Sequence, residues 1–121
     1  MGNRASIVFF DRHRVSPTVY LHWHGNAVPH WLNQLKKLMV HRTNDADYAA
    51  ARFVGICHSQ IDGYLSLGVH QNQLTQADLK NPDRVTELSP GDAGIVVVDT
   101  HDFSWKAYGG YLAEVHPNHV H

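Results

Sequence analysis

Apolar and polar positions along the chain follow two rhythms, and each change of rhythm marks an element. Residues 5–10, Ala-Ser-Ile-Val-Phe-Phe, form a β-branched and aromatic run closed by Asp11-Arg12-His13-Arg14 and by Pro17, which predicts a first strand. Over 18–24, Val19, Leu21 and Trp23 alternate with Thr18, Tyr20, His22 and His24. That period of two predicts a half-buried second strand with a polar, aromatic face. Gly25-Asn26 breaks it and Pro29 suits a first helical turn. Val28, Trp31, Leu32, Leu35, Leu38 and Met39 then recur at helical spacing, so a first helix is expected over 27–41. Thr43-Asn44-Asp45 supply capping oxygens for a second helix over 46–59, where Ala49, Phe53, Ile56 and Cys57 share a face and Arg52 falls at its border.

Beyond the turn Asp62-Gly63, residues 64–69 alternate again, which predicts a third strand with Leu65, Leu67 and Val69 toward the core. Residues 70–91 are polar and contain Asn81-Pro82-Asp83 and Ser89-Pro90-Gly91, the pattern of a long loop with one helical turn near 75–79. The compact run 94–99 predicts a buried fourth strand, 103–108 a fifth, and the chain after Gly109-Gly110 a last strand over 111–115. The order β-β-α-α-β-β-β implies an α+β fold: an antiparallel sheet of five to six strands with two helices packed on it. Aromatic residues fall on both faces of so small a sheet, more than two helices cover, so a homo-oligomer is expected.

Length and composition narrow the picture. The chain has 121 residues, 43% apolar and 17% charged, enough for one folded domain over 1–115 followed by a His-rich tail, 116–121. No apolar run approaches the roughly 20 residues that cross a bilayer, and Met1-Gly2-Asn3-Arg4 lacks the apolar stretch of a signal peptide, so a cytoplasmic location is expected. The single Cys57 cannot form an internal disulfide and reads as a core residue. A net charge of −1, with eleven histidines neutral, provides no field to hold long nucleic acid. A small anionic ligand in a discrete pocket stays compatible with it.

Candidate chemistry is sparse. His22 and His24 share one face of the expected second strand, a spacing that suits a metal, but a third ligand such as His70 or His101 is not set by any spacing. A metal-binding module or metal-dependent enzyme is therefore the alternative. No GxSxG, Walker loop, GxGxxG or HExxH occurs, and Asp99, His101 and Asp102 are explained by turn chemistry. A binding protein without catalytic residues or cofactor is the favoured reading. Nucleotide recognition needs guanidinium or ammonium groups, aromatic faces and hydrogen-bonding groups. Arg4, Arg52, Arg84 and Lys106, then Trp23, Phe103 and Trp105, then His22, His24 and Asn26, supply them.

Met1-Gly2-Asn3-Arg4-Ala5, Tyr20-Leu21-His22-Trp23 with Gly25, Tyr48-Ala49-Ala50-Ala51-Arg52-Phe53, Leu65-Ser66-Leu67-Gly68-Val69 and Gly94-Ile95-Val96-Val97-Val98-Asp99 together resemble a family of small phage and prophage proteins. That family is similar to the anti-Thoeris sponges, which sequester cyclic ADP-ribose isomers made by TIR-domain proteins, with some members holding cyclic oligonucleotides. The resemblance covers nearly the whole chain. It implies a host-cytoplasmic counter-defence role, dimers assembling up to hexamers, and ligand pockets between subunits. It also implies Arg52 as a phosphate ligand; the favoured reading adds Arg4 and Lys106 on phosphates and Trp23, Phe103 or Trp105 on bases. Asp92-Ala93-Gly94 stands where the family carries Asp-Asn-Gly, which keeps Asp92 as a site candidate but removes an amide and leaves the ligand's identity open.

Overall fold

The computed structural model describes residues 2–63 and 65–115, so the expected tail over 116–121 lies outside the described residues. Two strands, β1 (Ala5–Phe10) and β2 (Thr18–Leu21), precede two helices, α1 (Val28–Leu38) and α2 (Ala46–Gln60). Strand β3 (Leu67–His70), helix α3 (Pro82–Glu87), strands β4 (Gly94–Asp99) and β5 (Ser104–Tyr108) and helix α4 (Tyr111–Val115) complete the chain. The five strands form one sheet in the order β3-β2-β1-β4-β5. The α+β class is as expected, but the sheet is mixed: β1 and β4 run parallel from Ala5↔Gly94 to Phe10↔Asp99, while the other neighbours are antiparallel. No helix among the described residues is long and apolar enough to cross a membrane.

The central pair is apolar on both faces. Ala5, Ile7 and Phe9 of β1 with Val96 and Val98 of β4 meet Trp31, Leu32 and Leu35 of α1 and Ala49, Phe53 and Cys57 of α2. Val8, Ile95 and Val97 point to the opposite face and pack under Leu74 and Val85. Cys57 is a core residue, and burial pushes its thiol up to about 12, which keeps it inert.

Several expectations are corrected. Residues 111–115 form a helix, because Gly110 approaches the Ala93–Gly94 backbone too closely for any side chain, and the amides of Tyr111 and Leu112 donate to the carbonyls of Asp92 and Ala93. The expected loop 70–91 contains α3, started by Asn81, whose side chain accepts from the amides of Asp83 and Arg84 ahead of Pro82. Strand β2 stops at Leu21, leaving Trp23 half-exposed. Leu65 and Val69, expected in the core, are 94% and 57% exposed.

Asp11 ties the two halves together. Its carboxylate accepts from the amides of His13 and Arg14, each at 2.8 Å, and across the fold from the amide of Ala46 at the start of α2, also at 2.8 Å. Burial acts to raise this carboxyl, but the three backbone donors prevail and hold it below the ordinary carboxylate range. Such a group stabilises the fold above its unfolded value near 3.9 and loses that contribution as pH falls through its folded value. Asp11→Ala is expected to cost about 2–4 kcal/mol in urea denaturation at neutral pH and to flatten the loss of stability below about pH 4.

Candidate functional site

On the face opposite α1 and α2, alternation brings Arg4 and Ser6 of the β1 segment beside Thr18 and Tyr20 of β2 and His70 of β3, with pairings Ser6↔Tyr20 and Thr18↔His70. Helix α3 packs over β4 and β5 on this face and leaves β2 and β3 uncovered. A groove of about 240 Å³ is left beside it, floored by Ser6, Thr18, Tyr20 and Ile95. Its walls are His70, Gln71, Gln73, Leu88 and Pro90 from the segment that carries α3. The Tyr20 hydroxyl lies 2.8 Å from His22 Nδ1, and its ring meets His70 edge-on at 5.4 Å between centroids. Hydroxyls, carboxamides and imidazole thus surround one aromatic floor residue, and among the described residues no carboxylate lines the groove.

Arg4 does not line the groove but precedes its floor residue Ser6 by two positions, on the same side of the strand. Its backbone amide and Nε both donate to Asp92 Oδ2, at 3.2 and 3.0 Å. Asp92 occupies the left-handed region at φ 54°, next to Gly91 at φ 85°. Hydrogen bonding to the Arg4 side chain, then to its amide, holds the Asp92 carboxyl below the usual range, and the same contact raises the Arg4 guanidinium.

The remaining expected site residues do not converge here. His22 and His24 leave on different sides: His22 joins Tyr20, while His24 stacks on Trp31 of α1 at 6.0 Å and meets Ser66 Oγ at 2.8 Å. The shared strand face expected for them is therefore corrected. Ser66 also accepts from the Trp23 amide, fixing the segment after β2. Trp23 lies edge-on to His22 at 4.6 Å. Phe103 is buried in the core at φ 60°, with its amide donating to Asp99 O, so its ring is not open to a base. Lys106 lines a separate recess of about 210 Å³ with Phe10, Leu79 and Tyr108.

Arg52 is exposed on α2, across the sheet from the groove. Its guanidinium carbon lies 5.7 Å from the Tyr48 ring centroid, whose nearer cation is Arg42 at 4.0 Å. No carboxylate among the described residues pairs with Arg52. A larger recess of about 440 Å³ between α2 and the β2–β3 edge is lined by Val15, Val19, Ala50, Val54 and Val69 and carries Asp47 but no cation. Phosphate has no partner in it. The Asp99–Asp102 turn holds as expected: Asp99 accepts from the His101 amide, and Asp102 from the amide and hydroxyl of Ser104.

Sequence reasoning singled out Arg4, His22 and Asp92 but missed Tyr20, His70, Gln71 and Gln73 as a group. The alternation of Thr18, Tyr20 and His22 was the signal for the floor; nothing local places 70–73 against it. No known family, characterised protein or solved structure matches the chain. Two variants separate scaffold from surface by urea denaturation. Phe103→Ala is expected to cost about 3–5 kcal/mol, and Arg52→Ala less than about 1 kcal/mol.

Proposed function

We propose that the protein binds and sequesters a cyclic nucleotide signal, a cyclic ADP-ribose isomer, without turning it over, as a phage counter-defence factor in the host cytoplasm. The observation that supports this reading most is the groove over Tyr20, lined by hydroxyl, carboxamide and imidazole groups, with the Asp92-paired Arg4 two residues before its floor residue Ser6. A base needs a π-face and edge hydrogen bonds, which Tyr20, Gln71, Gln73 and His70 offer; a phosphate needs charge-assisted donors, which Arg4 offers. Arg4 takes the role expected of Arg52.

The groove's volume of about 240 Å³ lies below the roughly 300–1,000 Å³ usual for small-molecule pockets. A dinucleotide-sized ligand would overhang it and leave a remainder for a second subunit to close over. That supports a homo-oligomer built on dimers. The metal-centred alternative has no grouping of three or more His, Cys, Asp or Glu side chains behind it among the described residues.

Incubation with a cyclic nucleotide mixture, followed by heating to denature the protein and chromatography of the supernatant, tests sequestration. Intact ligand released at a fixed ratio to protein is the expected result; a new product would establish an enzyme. In the same assay Tyr20→Leu is expected to weaken binding by roughly 5- to 150-fold, the usual worth of one stacked base.

A further inference from the structure

We infer that Arg4 is the anion anchor of the groove and Asp92 its positioning residue, so that the ligand lies with a phosphate at the Arg4 end and a base over Tyr20. This rests on the nucleotide-binding reading of the groove. An arginine at an exposed strand start samples many rotamers, and an anchor gains from losing that freedom before the ligand arrives. Asp92 Oδ2 restrains Arg4 twice, through the backbone amide and through Nε, which fixes the start of the side chain and its far end by one oxygen. With Nε engaged, the two terminal amino groups remain, and no other carboxylate among the described residues pairs with them. Those two nitrogens form the edge of the fork that meets phosphate with parallel hydrogen bonds.

The surroundings fit an anchor held in place. A Cβ on Gly91 would lie 3.6 Å from Arg4 Nη2, which sets the guanidinium beside Gly91, the neighbour of the groove's lining residue Pro90. Asp92 is fixed in its left-handed conformation from several sides. Its carbonyl accepts from the Tyr111 amide at 2.9 Å, the next amide, Ala93, donates to Arg4 O at 3.0 Å, and Gly94 closes the turn onto Gly91 O at 3.0 Å. Any side chain at position 2 would collide with the Asp92 carboxylate.

A carboxylate next to an anion site repels the anion, so a purely Coulombic view has Asp92 weaken binding. A positioning view has it strengthen binding, and the two separate by variant and by salt. Asp92→Asn keeps shape and tolerates the left-handed backbone while removing the charge; Asp92→Gly tolerates it while removing the side chain. Calorimetric titrations use inorganic pyrophosphate, adenosine and a cyclic ADP-ribose isomer. Asp92→Asn is expected to hold the two phosphate-bearing probes within about threefold of the parent, and Asp92→Gly to lose roughly tenfold, more at high salt where the relieved repulsion is screened. Arg4→Ala is expected to lose roughly tenfold or more without rescue by Arg4→Lys, and Arg4→Ala with Asp92→Gly to be no weaker than Arg4→Ala alone. Adenosine affinity should not change in any of them.

Asp92→Gly binding the phosphate probes as tightly as the parent, or losing adenosine in step with them, would overturn the inference while leaving sequestration standing. Pyrophosphate held through Arg4 and Asp92 with no cyclic nucleotide bound would leave the anchor standing and remove the sequestration reading. No binding of either phosphate probe by the parent protein removes both.

Discussion

The structure depends on the parallel pairing of β1 with β4 at the centre of the sheet. Ile7 and Phe9 with Val96 and Val98 require cover on one face, and Val8 with Ile95 and Val97 require it on the other. Helices α1 and α2 satisfy the first demand. The second falls to α3, whose six residues span only about 9 Å, against a five-stranded sheet about 19 Å wide. A helix that short covers β4 and β5 and leaves the β2–β3 flank open. That flank becomes the groove over Tyr20.

Much of this was legible in sequence, and the parts that were not share a cause. The first strand, both long helices and the burial of Cys57 follow from periodicity and capping. Residues 94–99 were recognisable as a strand buried on both faces, but a buried strand does not state its partner, and the pairing with β1 spans nearly the whole chain. Asn81-Pro82 reads equally as a turn or as a cap and first helical residue; Val85 of α3, at 0% exposure against Val8, Ile95 and Val97, decides for the helix. Residues 111–115 carry no decisive period, and it is the backbone contact of Gly110 with Ala93 that turns them into α4. Over 22–24 the rhythm of two continues past the end of β2, because Ser66 holds the segment in a bend that alternation cannot register.

The candidate site shows the same division between local and long-range information. Thr18, Tyr20 and His22 announced a polar aromatic face, yet its partners arrive from 70–73 and from Pro90, separated in sequence and assembled only by the crossover to β4. Arg4 and Asp92 meet because β1 and β4 start side by side. Arg52, placed by helical spacing at the border of an apolar face, is directed to solvent beside Tyr48 instead.

The central claim is that the flank of the sheet left bare by α3 is the binding surface. Backbone amide NMR during titration with a cyclic ADP-ribose isomer tests it directly. The account predicts perturbations concentrated at Arg4, Ser6, Thr18, Tyr20 and 70–73. Perturbations centred on Arg52 and the exposed side of α2, with the β2 and 70–73 amides unmoved, would contradict it.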